Sequence, residues 1–137
     1  MMSGLAFSGI VLGFVTALPQ VAPPAGPANV PQKRAQAKVD AARKTYEVLW
    51  TNNKEGLVPF VELAYRWSRR WLEAELERSD KKTDKIAAYQ AHRDRMRDLA
   101  RITHERYRTR VTTIEEASAT DFYSVEAEIW LEQAKNQ

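Results

Sequence analysis

The sequence predicts an all-α fold of antiparallel helical hairpins, an elongated bundle of three or four helices with an internal duplication. Helix breakers are scarce, since Gly56 and Pro59 are the only glycine and proline after residue 31. Apolar residues recur at three- and four-residue spacing along most of that region. Two windows 53 residues apart also resemble each other, which indicates a repeated unit.

Composition limits the possible functions before any motif is considered. Charged residues make up 28% of the chain and nearly alternate in sign, so the net charge of +3 is a small excess over a mixed surface. Such a surface permits an anionic partner without requiring one. Cysteine is absent, which excludes disulfides and thiolate metal sites.

The N-terminal residues predict export. Residues 1–32 carry no charged side chain, and residues 5–18 form an apolar run of signal-peptide length, short for a membrane span. Residues 15–17, Val-Thr-Ala, suit a cleavage site, so we expect a signal peptide over 1–17. An uncleaved membrane anchor is the alternative.

A proline-rich stretch separates this segment from the helical part of the chain. Five of the prolines lie between residues 19 and 31, so 18–32 is predicted to be a disordered linker. Residues 33–137 then form the helical domain, as two helix–break–helix units at about 33–79 and 84–137. The helices are expected at approximately 33–55, 60–79, 84–108 and 112–135.

The first two helices are separated by a clear break. The first carries a 3–4 stripe that ends at "NNKEGLVP", where Gly56 can supply a left-handed cap and Pro59 suits the next first turn. The stripe consists of Val39, Ala42, Tyr46, Leu49 and Asn53. The second helix is apolar over more than half of its circumference, so we expect it to contact two neighbours.

The third helix raises one alternative. "ERSDKKTDK" (77–85) is polar but lacks Gly and Pro, so 60–108 could be a single helix. Ser79, Asp80 or Thr83 could instead be a new N-cap and allow a compact four-helix bundle. The stripe of this helix consists of Ile86, Tyr89, Met96, Leu99, Thr103 and Tyr107.

The last helix begins after a capping box at Thr112–Glu115. Its expected stripe consists of Ile114, Ser118, Phe122, Val125 and Ile129.

The predicted repeat aligns residues 58–76 with residues 111–129. Identical pairs include Val58/Val111 and Glu62/Glu115, and conservative pairs include Val61/Ile114, Leu72/Val125 and Leu76/Ile129. The apolar stripe that both copies share is therefore expected to be the common scaffold.

The repeated units, "GLVPFVELA" (56–64) and "YRTRVTTIEEASATDFYSVEAE" (107–128), resemble the helix-restart motif of TolC-type outer-membrane efflux proteins. Thr109 and Arg110 stand where that motif has its glycine. The resemblance implies a helical hairpin protein of the cell envelope. It covers the helical part alone, so it implies no transmembrane channel formed by this chain.

Trp67 and Trp71 lie one turn apart in "YRWSRRWLEAELE" (65–77), among three arginines. On a helical wheel the tryptophans share a stripe with Phe60 and Ala64, whereas the arginines lie on another arc among glutamates, with Arg70 at its edge. We therefore expect the arginines to face away from tryptophans that pack under neighbouring helices. The repeat has Thr120 and Ser124 at the tryptophan positions, so this stripe belongs to the first half, and docking of a partner on it is the alternative.

Two other groups of residues are candidate binding sites, the arginine-rich run and the two histidines. "HRDRMRDLARITHERYRTR" (92–110) holds seven arginines with few nearby acids, so an anionic surface is a possible partner. His92 and His104 are too far apart in the helix to share a metal ion and are expected to be solvated or partly packed. The candidate partner-binding residues are Trp67, Trp71, Arg93, Arg97, Arg101 and Arg108.

The motifs of catalysis and cofactor binding are missing from the sequence, which predicts that the protein is not an enzyme and binds no cofactor or metal. We expect a non-catalytic, exported scaffold or interaction protein that uses its helix faces for a protein partner or for self-association. One alternative is a periplasmic bundle that senses a small ligand or a metal through His92, His104 and Met96. The other is a basic helical protein that binds nucleic acid through residues 93–110, which export makes unexpected.

Overall fold

The structure, a computed structural model, describes residues 29–53 and 59–137, and these form four helices with no strand among them. They are α1 (Asn29–Asn52), α2 (Phe60–Arg78), α3 (Lys82–Arg108) and α4 (Ile114–Asn136). The all-α prediction is confirmed. The predicted signal peptide, most of the linker and Gly56 lie outside the described residues.

Helix α1 begins earlier than predicted, because residues 29–32 of the expected linker are helical. Pro31 lies in the first turn, where a backbone N–H would have no acceptor within the helix, so proline is tolerated there. The buried face of α1 matches the predicted stripe at Val39, Ala42 and Tyr46, and Asn53, just after the helix, is also buried.

Helices α2 and α3 are separate, so the prediction of a break near Ser79 is the correct alternative. Ser79, the C-cap of α2, has extended backbone angles. The N-cap of α3 is Lys81 and not Ser79, Asp80 or Thr83, the three predicted caps. Ser79 still binds the new helix, since its hydroxyl donates to Asp84 at 2.6 Å and accepts from the Lys81 N–H at 3.3 Å. These two bonds stabilise the first turn of α3 in place of a side-chain cap.

The turn between α3 and α4 is a Schellman motif. Arg110 has a φ of 62°, and the N–H groups of Arg110 and Val111 donate to the carbonyls of Tyr107 and Arg106 at 3.0 and 2.8 Å. Helix α4 then begins one residue later than the predicted capping box implies, because Thr113 is its N-cap and accepts from the Glu116 N–H.

The helices run up–down–up–down, and each packs against the next. Two contacts give the direction of each pair: Lys38–Glu77 and Trp50–Phe60 for α1 and α2, and Arg97–Glu128 and His104–Asp121 for α3 and α4. Helix α2 packs against both α1 and α3, as its broad apolar surface predicts. Helices α1 and α4 share no packed interface among the described residues, so each is an outer helix of the array.

The core lies among α1, α2 and α3 and is closed on one side by α4. Small residues allow close approach, since Ala64 and Ala127 are fully buried in it. Met96 and Leu99 of α3 lie at its centre, also fully buried, and Tyr46 of α1 covers them. This arrangement leaves the far sides of α1 and α4 in solvent.

Candidate functional site

The two tryptophans pack against the core from α2 and are partly buried, as the wheel predicts. The ring of Trp71 lies 6.0 Å from that of Tyr46 in α1, and its indole N–H donates to Glu75 at 3.3 Å. Trp50 of α1 extends the group by packing 5.4 Å from Phe60. These aromatic residues therefore join α1 to α2.

The expectation that the arginines face away from the tryptophans is wrong for Arg70. Its guanidinium lies 4.7 Å from the ring centre of Trp67, as in a cation–π contact. A second guanidinium comes from α3, because Arg95 lies 4.0 Å from the ring centre of Trp71. A helical wheel shows only the direction in which a side chain leaves the helix, whereas the long Arg70 side chain can bend back to Trp67. A wheel of α2 also cannot show a contact made by a residue of α3.

Carboxylates neutralise most of the candidate arginines in α3. Arg93 pairs with Asp94 at 2.8 Å, Arg97 donates to Glu128 at 2.9 Å, and Arg101 lies 3.4 Å from Glu105. Arg108 is exposed. Two further arginines of the run turn inward, because Arg95 contacts Trp71 and Arg106 donates to the carbonyl oxygen of Asn53 at 3.1 Å. In this run, therefore, Arg95 and Arg106 have structural roles, and the three other arginines named above with a partner pair with carboxylates.

His92 is fully buried, so the expectation of a solvated or partly packed histidine is wrong for it. Its Nδ1 lies 2.8 Å from the Ser68 hydroxyl oxygen, and its Nε2 has no hydrogen-bond partner in the described structure. Burial, with the positive charge of Arg95 as a smaller cause, lowers the pKa of His92 to about 3. The imidazole is therefore neutral at physiological pH.

The other histidine has a different environment. His104 is partly exposed and its Nε2 lies 2.8 Å from the carboxylate of Asp121 in α4. The two histidines thus bind different partners. Within residues 29–53 and 59–137 there is no group of three His, Cys, Asp or Glu side chains placed to hold a metal ion.

The outer face of α4 carries the residues that the sequence predicts for its packed face, so that prediction is wrong. The residues expected to form its packed stripe are exposed: Ile114 by 50%, Phe122 by 63%, Val125 by 58% and Ile129 by 51%. Ser118 lies in the same row and is also exposed. We call these five residues the α4 outer stripe. The expected common scaffold is therefore wrong for α4, although Val61 and Leu72 are buried in α2.

Small residues occupy the inner face of α4. Ala117, Thr120 and Ala127 are fully buried, and Leu131 is nearly so. These four residues are separated by three, seven and four positions, so α4 contains two stripes with helical spacing. The prediction that the stripe of larger residues is the packed one is wrong. The excess of small residues in the other stripe is the signal that identifies a close helix–helix contact.

A groove lies between α2 and α4. Tyr65 and Tyr123 stack across it with ring centres 3.8 Å apart, and the Tyr65 hydroxyl donates to Glu126 at 2.7 Å. The space above the rings is about 480 Å³ and is bordered by Arg66, Arg69 and Glu73 among others. Charges of both signs surround it, so the groove selects for no particular ligand class.

None of the four helices contains an apolar stretch long enough to span a membrane. A comparison of the chain with known protein families, with curated proteins and with solved structures finds no match. The resemblance to TolC-type hairpins stays a prediction.

Proposed function

We propose that this chain is a non-catalytic, exported helical interaction protein of the cell envelope, whose contact surface is the α4 outer stripe. The observation that supports it is the inverted arrangement of α4, with alanine and threonine inside and Ile114, Phe122, Val125 and Ile129 in water. Contiguous exposed apolar patches on a folded protein are typical of interaction surfaces.

Covering the α4 outer stripe provides part of the free energy of association. Complete burial of a large apolar side chain stabilises by roughly 1.5–3 kcal/mol, so covering four half-exposed ones makes available roughly 3–6 kcal/mol. Association itself costs several kcal/mol in lost freedom of motion, so the stripe alone supports a weak complex. Charged pairs around the stripe would have to supply the rest.

The predicted repeat gives independent support. Its offset pairs Ile114 and Val125 with Val61 and Leu72, and both of the latter are buried in α2. The predicted repeat implies that the α4 outer stripe descends from a surface that packs against a helix. We therefore expect its partner to be another helix.

A photo-crosslinking amino acid introduced at Val125 in the full-length chain, in its native cells, tests the contact surface. The matched control carries the same amino acid at Ala87, an exposed alanine on α3. We expect protein adducts from position 125 and none from position 87. Equal or absent adducts from both positions would refute the proposal.

The export part of the proposal rests on the apolar run 5–18 and has its own test. We expect N-terminal sequencing of the chain from the envelope fraction to begin at Leu18. A chain that retains Met1 in the cytoplasmic fraction would exclude the exported form while leaving the contact surface unaffected.

A further inference from the structure

The outer face of α1 complements that of α4 in size. The α1 outer face consists of Val30, Arg34, Ala37, Ala41, Lys44 and Val48, all exposed and spaced by three or four residues. Its two alanines lie in the middle of the row, flanked by long basic side chains. A face with small residues at its centre accepts large ones such as Phe122 and Val125, because helices approach closely there.

The two outer helices are also complementary in charge. Helix α1 contains five basic and two acidic side chains, whereas α4 contains six acidic and one basic. Opposite charges at the edges of a helix–helix contact favour that pairing, and like charges oppose the pairing of two α4 helices. Arg34 and Lys44 form no ion pair within the described residues, so they are available to a partner.

We propose that the occupant of the α4 outer stripe is the α1 outer face of a second copy of this chain. The inference rests on the proposed function and names the partner of the same surface. Since α1 and α4 do not pack on each other, each copy offers one free face of each kind. Such a contact is heterologous, so it builds open head-to-tail chains, or a ring if the rotation closes.

The size of the contact predicts its strength. Helix α4 has 23 residues, so it is about 34 Å long and presents a strip about 10 Å wide. Its footprint of about 340 Å² is well below the roughly 800 Å² per partner of a standard stable complex. Assembly should therefore be weak, should require a high protein concentration and should weaken further as salt screens the charged edges.

A mixing experiment distinguishes this contact from a symmetric one. Full-length Ala41→Glu blocks the α1 outer face and leaves α4 intact, while full-length Val125→Glu does the reverse. Both positions are exposed on helices, so the fold should be retained, which circular dichroism and thermal melting check. Ala87→Glu is the matched control and should assemble as the wild type does.

Sedimentation velocity should show concentration-dependent oligomers for the wild type and monomers for each blocked variant. An equimolar mixture of the two variants should form a 1:1 dimer and nothing larger, because one intact face remains on each. Dimers of Ala41→Glu alone would overturn the proposal in favour of α4–α4 pairing. A monomeric wild type with adducts to another protein from position 125 would overturn self-association but not the proposed function, whereas a monomeric wild type without adducts would overturn both.

Discussion

The Nδ1 atom of His92 lies 2.8 Å from the hydroxyl oxygen of Ser68, and both side chains are fully buried. The same oxygen accepts a bond from the Nε of Arg95 at 2.7 Å. Because a guanidinium only donates, Arg95 occupies one acceptor position of the Ser68 hydroxyl, and a second hydrogen bond joins that hydroxyl to His92 Nδ1. A neutral histidine thus links α2 to α3.

The buried imidazole makes the stability of the fold depend on pH. In the unfolded chain His92 has an ordinary pKa near 6.5, whereas in the fold it is about 3. The unfolded state therefore binds the proton first, and stability is complete above about pH 6.5 and is lost as the pH falls towards 3. We expect the loss to approach about 1.4 kcal/mol per pH unit within that window. Urea unfolding at pH 7.5, 6.0 and 5.0 measures it.

Two variants identify the source of this dependence. His92→Gln keeps an acceptor for Ser68 but does not titrate, so its stability should change less than that of the wild type between pH 7.5 and 5.0. His104→Gln removes the exposed histidine and should retain most of the wild-type slope. Equal slopes in the wild type and in His92→Gln would contradict the assignment.

Arg95 has a structural role that its neighbour Arg97 lacks. It donates to the Ser68 hydroxyl and carbonyl oxygens and lies over Trp71, and burial lowers its pKa to about 10. Bonds from charged donors contribute roughly 1.5–3 kcal/mol each, with a smaller gain from the ring, and the cost of burying the guanidinium offsets part of this sum. We expect Arg95→Ala to lower the free energy of unfolding by about 2–4 kcal/mol, as measured by urea titration.

Arg97→Ala is the matched control because its ion pair with Glu128 is about half exposed on both sides. Surface pairs contribute about 0–1 kcal/mol, so this variant should unfold at nearly the wild-type urea concentration. A similar loss for the two variants would mean that burial of the guanidinium does not stabilise the fold.

The helix positions were predictable because they depend on local chemistry. Breakers at Gly56 and Pro59 and the restart near Thr113 are visible in sequence, and the observed α2 and α3 differ from expectation by two residues or fewer at either end. The separation at Ser79 was left open because no Gly or Pro marks it. The contact that joins α2 and α3 beyond this break, between Ser68 and His92, links residues 24 positions apart and leaves no mark in the local sequence.

The faces of the helices were less predictable, because a face is defined by its neighbours. In α4 both stripes have helical spacing, and hydrophobicity alone favours the stripe of larger side chains as the buried one. Burial of His92 was missed for the same reason, since the partner that satisfies it, Ser68, is on another helix. The periodicity of one helix does not show which side chains of another helix it contacts.

Arg110 is a local weakness in the turn before α4. Its φ of 62° lies in the left-handed region, which costs a residue with a Cβ roughly 1–2 kcal/mol, whereas glycine adopts it freely. Since glycine also loses more entropy on folding, we expect Arg110→Gly to raise the free energy of unfolding by about 0.5–1 kcal/mol. Thermal melting should show a higher Tm. Gln90→Gly, at an exposed position inside α3, should lower stability by about 1 kcal/mol, and a stabilising effect there would contradict this explanation.

The two faces of α4 should respond to substitution in opposite ways. Ala127 is fully buried, so Ala127→Leu adds volume to a close contact and should destabilise by about 1–3 kcal/mol. Ile129 is 51% exposed, so Ile129→Gln should change the free energy of unfolding by no more than about 0.5 kcal/mol. Urea unfolding in dilute solution, where association is absent, compares the two.

For assembly, in contrast to stability, Ile129→Gln should have the larger effect of the two substitutions. Ile129→Gln removes apolar surface from the α4 outer stripe and should reduce oligomer formation at high concentration, although the monomer is as stable as before. If Ile129→Gln instead destabilised the dilute monomer by several kcal/mol, the stripe would be part of the core of one copy. The packing of α4 on α3, with its smaller contact with α2, would then be insufficient to hold α4 in place without the outer stripe.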